Sequence, residues 1–160
     1  MTKLYITLLA CALMLPIIPF SKYVAAGTTS PLFTHFVFMF GHASVLHWLC
    51  NTWGLLMLHN LFKWRRLITA WGLSVILSFV FIPDKPVLGA SVFVAFFMGL
   101  IAVQQFRRDK TAAILTLLIL VISCFLPGFA GSYHIILYLA GMLSFYIERV
   151  FKNFADYAKG

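Results

Sequence analysis

Acidic residues are the scarcest feature of this sequence. Asp and Glu together occur four times in 160 residues, as Asp84, Asp109, Glu148 and Asp156, and charged residues of either sign reach only 10%. A soluble domain needs a polar exterior, so this scarcity excludes water as the main solvent. Paired cysteines are also missing. Cys11, Cys50 and Cys124 stand singly in apolar stretches, without the spacing of a zinc or redox site, and are expected to pack. The sequence contains no H-E-x-x-H motif, no internal repeat, no low-complexity segment and no long run of like charges. The last of these excludes a nucleic-acid footprint.

What is present is hydrophobic, at 62% of all positions. A bilayer core of ~30 Å takes about 20 apolar residues per helix. The expected fold is therefore all-α, a polytopic membrane bundle forming a single domain over residues 1–160. Breaks at charges, prolines and glycines set helices at 4–20, 43–62, 66–82, 91–106, 111–126 and 132–150. Leu8-Leu9-Ala10-Cys11 is similar to a lipoprotein cleavage box and Val24-Ala25-Ala26 to a signal-peptidase site. The apolar run continues to Phe20, however, which suits a retained first helix. Ser21 to His42 starts polar and turns aromatic, and is expected to lie in the membrane interface.

Net charge is +8, and in a membrane chain the basic residues are read first as topology signals. Counting alternate loops and tails together, one side holds ten of the twelve Lys and Arg residues, leaving Lys22 and Lys85 on the other. An even number of spans with both termini cytoplasmic follows.

Few strongly polar groups interrupt the apolar segments, and such groups mark function by default. His42, His47 and Asn51 sit near the start of the second segment, with His47 and Asn51 one turn apart on one face. Ser91 opens the fourth segment after Gly89-Ala90. A hydroxyl in a first helical turn lies beside backbone N–H groups that lack intrahelical acceptors and can stabilise an oxyanion. Gly89 lets the backbone of that turn approach a substrate closely. His134 opens the sixth segment, with Gly141 two turns along as a site of close helix packing. His47 with Asn51, Ser91 and His134 fall at the outer ends of their segments. Of the ways to hydrolyse a peptide bond in a membrane, a metal and an aspartate pair lack their residues, which leaves a Ser–His pair. Asp84 is the one acidic residue on the outer side, and nothing in the sequence aims it at His134.

These residues resemble the rhomboid family of intramembrane serine proteases over nearly the whole chain. His42 through His47 to Asn51 is similar to the family's H-x4-H-x3-N signature, Gly89-Ala90-Ser91 to its G-x-S turn, and His134 with Gly141 to its sixth-helix pattern. The resemblance implies Ser91 as nucleophile and His134 as general base. It further implies an oxyanion site of His47 and Asn51 at the Gly89 turn, and a structural His42. Cleavage of membrane-anchored substrates near the outer face of a bacterial cytoplasmic membrane would follow, with no cofactor. The family pattern is departed from at Val92, Ala95, Leu137 and His59, where glycine or an aromatic is usual. A second reading is an inactive rhomboid-like protein that binds transmembrane segments. A third is a haem or transport bundle using His42, His47 and His134. His35 and His59, near predicted segment ends, are expected to have no chemical role.

Overall fold

A computed structural model describes residues 2–27, 29–80, 87–106, 110–123 and 131–157. Asp84, Lys85, Arg107, Arg108, Asp109, Cys124 and Lys159 lie outside them. Among the described residues the chain is helical, with one isolated bridge between Ala26 and Val87. The helices are α1 Thr2–Met14, α2 Ser21–Val24, α3 Thr34–Val37, α4 Val45–Leu58, α5 Trp64–Val80, α6 Ser91–Phe106, α7 Lys110–Ser123 and α8 Gly131–Tyr157. Single 3₁₀ segments follow α1, α3 and α4, over Leu15–Phe20, Phe38–Phe40 and His59–Leu61.

Among the described residues two stretches are long and apolar enough to cross a membrane, Thr2–Val24 and Gly131–Tyr157, and α6 is a shorter apolar helix of 16 residues. The outward surface is itself apolar: Leu9, Leu13, Leu46, Trp53, Ile76 and Leu143 are all exposed.

The expected segment boundaries need several corrections. The first segment tightens to 3₁₀ after Met14, where Pro16 and Pro19 remove backbone donors, and its helical path then runs on to Val24. The second begins at Val45 because Ser44 caps it, its Oγ accepting the His47 N–H at 3.1 Å. The last helix continues to Tyr157, beyond the expected 150. Cys11 is buried as expected, but Cys50 is exposed on the outer face of α4. His35 is buried rather than interfacial: its Nδ1 lies 3.0 Å from Ser78 Oγ and its ring stacks on Phe79 at 4.2 Å.

Helix α6 is the centre of the bundle, packed by α8, α7, α4 and α5. Its contact with α8 is backbone on backbone. A β-carbon at Gly99 would run into the Tyr138 carbonyl, and one at Gly141 into the Phe96 carbonyl. Ser91 meets His134 at the two helix starts and both glycine contacts lie farther along both helices, so α6 and α8 are parallel. Around this pair, Val92, Ala95 and Leu137 share one buried cluster with Tyr133 and Phe38. Val92 therefore points into the core, and the large Leu137 packs in the same cluster as the small Ala95.

Among the described residues the basic side chains other than Lys22 gather at the opposite end of the bundle. Trp48 Nε1 donates to the Cys11 carbonyl at 2.8 Å and α1 also packs on His59–Leu61, so α1 and α4 run antiparallel and Lys3 lies toward Lys63. Arg66 grips Glu148 with two bonds, Nε to Oε1 at 2.7 Å and Nη2 to Oε2 at 2.5 Å, joining the start of α5 to α8 near Arg149 and Lys152.

Substituting Gly99 or Gly141 with Leu is expected to keep α6 and α8 apart. The cost should exceed the ~1–3 kcal/mol of ordinary overpacking, because the neighbour is backbone. Gly72, with nothing within 4 Å of its would-be β-carbon, is the control. Gly72→Ala should be neutral or stabilising by up to about 1 kcal/mol. Thermal unfolding in detergent micelles measures all three.

Candidate active site

The site is assembled from helix starts and from the loop that precedes them. Ser91 is the first residue of α6, and the Phe93 N–H already bonds the Ala90 carbonyl at 3.0 Å. The backbone N–H groups before Phe93 have no carbonyl a turn below them. Two crossings fix the turn. Val87 and Ala26 exchange backbone hydrogen bonds of 2.7 and 2.9 Å, and the Gly89 N–H donates to the Phe38 carbonyl at 3.0 Å. Gly89 thus contributes no free donor of its own to an oxyanion. Its contribution is space: φ is +119°, a region that favours glycine, and a β-carbon there would lie 2.7 Å from His47 Cε1, 2.8 Å from its Nε2 and 3.3 Å from Asn51 Nδ2.

His134, in the first turn of α8, brings Nε2 to 2.7 Å from Ser91 Oγ. With the ring proton on Nδ1, the hydroxyl donates and Nε2 accepts. Tyr133 holds this turn in place: its hydroxyl donates to the Ser74 carbonyl of α5, and Phe38 packs edge-on against its ring at 6.2 Å. Phe38 therefore touches both halves of the site, by its carbonyl at Gly89 and by its ring at Tyr133.

His47 and Asn51 lie one turn apart on α4 and face Gly89. The Ala43 N–H donates to His47 Nδ1 at 3.3 Å. That bond leaves the ring proton on Nε2, as a donor directed at the turn. Asn51 Nδ2 is buried and has no hydrogen-bond partner among the described residues. An unpaired buried amide is rare in a folded protein, and here it sits beside the serine turn.

His42 lies behind this group. Ser21 Oγ donates to its carbonyl at 2.7 Å and accepts from its N–H at 2.9 Å, while its ring meets that of His47 edge-on at 5.2 Å. Neither ring nitrogen has a partner of normal geometry among the described residues. Burial, and next the neighbouring His47, push the His42 imidazole from 6.5 down to about 4. Gly141 is further along, against Phe96, and acts through the α6–α8 contact. Among the described residues no three His, Cys, Asp or Glu side chains converge as metal ligands would.

Sequence reasoning named Ser91, His134, His47, Asn51, Gly89 and His42, and all six meet in this one region. It missed Phe38, Tyr133 and the Ser21 latch. An aromatic in an aromatic-rich stretch and a serine at a helix junction carry no local mark of a long-range partner.

Gly89→Ala is expected to disrupt the site twice over. It forces a β-carbon against His47, and the positive φ costs an alanine about 1–2 kcal/mol. The Ser91–His134 contact, read by the reactivity of the serine, should be lost even where the bundle still folds. His42 gives a pH dependence. Its folded form holds a proton less tightly than the unfolded chain, so stability is full above pH 6.5 and declines as pH falls toward 4. Thermal unfolding followed over that window should show the decline, on the order of 3 kcal/mol. His42→Gln should flatten it.

Comparison of the chain with protein-family models, with curated proteins and with solved structures finds no match. The functional reading rests on this geometry and on the residues that form it.

Proposed function

We propose that this chain is a small intramembrane serine protease of the rhomboid type. In this reading six helices span the bilayer, namely α1 with its continuation to Val24 and α4 to α8, and both termini are cytoplasmic. The basic end, with Lys3, Lys63, Arg66 and Arg149, faces the cytoplasm by the positive-inside rule. Ser91 and His134 then open toward the outer face, and the substrates are membrane-anchored proteins cut near that face.

The observation that carries the proposal is the 2.7 Å contact between Ser91 Oγ and His134 Nε2. It joins two helix starts that are 43 residues apart in sequence. In the reaction, Ser91 Oγ attacks the scissile carbonyl carbon as His134 Nε2 takes the hydroxyl proton. The carbonyl oxygen becomes an oxyanion, met by His47 Nε2–H, by the Asn51 amide and by the N–H groups at the start of α6. The C–N bond then breaks, His134 returns its proton to the leaving amine, and an ester on Ser91 remains. Water adds to the ester while giving a proton to His134. The acid departs, and the proton returns to Ser91. Donors waiting in place for the oxyanion need no reorganisation, and each is worth about 10²–10³ in rate in comparable sites.

A fluorophosphonate probe tests this on the detergent-purified protein without knowledge of the substrate. Labelling is expected in the wild type and lost in Ser91→Ala and His134→Ala. In Asn51→Ala and His47→Ala it should slow by at least ten-fold. Folded wild type that does not label would overturn the protease reading in favour of a rhomboid-like protein that binds transmembrane segments.

A further inference from the structure

A slot of about 520 Å³ lies on the flank of the bundle away from His134, between α1 and the first half of α5. Met14, Phe40 and Trp71 line the end toward Ser91, Ala10 the middle, and Ile6 and Trp64 the end toward the basic residues. Its walls are hydrocarbon. The hydroxyl of Thr7 is turned away to the Lys3 carbonyl at 2.8 Å. The slot exists because α1 packs on α4 and the His59–Leu61 turn whereas α5 packs on α6 and α8, so α1 and α5 diverge.

Charge identifies the occupant of this apolar slot, which hydrocarbon chains can fill. At the Trp64 end the exposed side chains of Lys3, Lys63 and Arg65 supply positive charge, and Glu148, the acidic residue facing Lys63, is already held by two bonds from Arg66. Trp64 itself is 76% exposed, as an indole at headgroup level would be.

We propose that this slot holds an anionic phospholipid of the inner leaflet, its acyl chains between α1 and α5 and its phosphate against Lys3, Lys63 and Arg65. Basic clusters at the cytoplasmic surface attract anionic headgroups, and the apolar slot fixes one molecule beneath them. The inference rests on the membrane orientation proposed above and is independent of the protease chemistry.

Native mass spectrometry of delipidated protein in neutral detergent tests it, with phosphatidylglycerol or phosphatidylcholine added back. One phosphatidylglycerol should be retained at a concentration at least ten-fold lower than phosphatidylcholine. Ala10→Phe, which fills the slot from an exposed position, should abolish retention, and Ile68→Trp serves if that variant melts early. Lys3→Ala with Lys63→Ala and Arg65→Ala should erase the preference between the two lipids. Equal retention of both lipids by the wild type, or phosphatidylglycerol retained unchanged in folded slot-filling variants, would overturn the proposal. Fluorophosphonate labelling of the same samples reports on the protease reading separately.

Discussion

Two glycines let backbone touch backbone where Gly99 meets Tyr138 and Gly141 meets Phe96, and the height of every group in the site depends on that contact. Helices joined through long side chains can slide by small rotamer adjustments. Helices joined through main-chain atoms have no such slack. Because α6 and α8 run parallel, a register set halfway down carries up to their starts, where Ser91 and His134 face each other. The remaining elements refine this arrangement. Tyr133 fastens the first turn of α8 to α5, and Phe38 links that turn to Gly89.

Electrostatic satisfaction is uneven across the molecule in an informative way. Most buried polar groups are spoken for: Ser74 Oγ bonds the Ala70 carbonyl, Ser78 bonds Val75, His35 meets Ser78 and Thr34 bonds Pro31. Among the described residues the exceptions are both ring nitrogens of His42 and the amide nitrogen of Asn51. Each unpaired buried group costs about 1–3 kcal/mol. A fold that satisfies its polar groups elsewhere concentrates this cost within reach of one serine, and Asn51 Nδ2 is thereby free to bond an incoming oxygen.

The sequence signals that proved readable were local ones. Ser91 at a helix start, His47 and Asn51 one turn apart, and the separation of basic residues from the polar cluster all follow from spacing and charge. Gly141 was legible because it follows a histidine on one face. Gly99 was not, since a glycine inside Phe97-Met98-Gly99-Leu100 gives no sign of the carbonyl it will meet. The Ser21 to His42 stretch was harder still. Its short helices are held by the Ala26–Val87 bridge and the Ser21–His42 latch, contacts between segments that no periodicity encodes. His35 was misread for the same reason, because its partner Ser78 sits far along the chain on α5.

The pair formed by Arg66 and Glu148 has a mechanical consequence. Helix α8 is tied to α5 near its start, by Tyr133 on Ser74, and again at Glu148, some 22 Å further along. Two ties at such a separation act like a pair of hinge pins set on one edge of a door: they forbid sliding, and they forbid tilting away from that edge. With α6 locked to α8 by glycines, α5, α6 and α8 behave as a single rigid wall. Any breathing of the bundle that admits a bulky guest is left to the helices outside that wall, α1, α4 and α7.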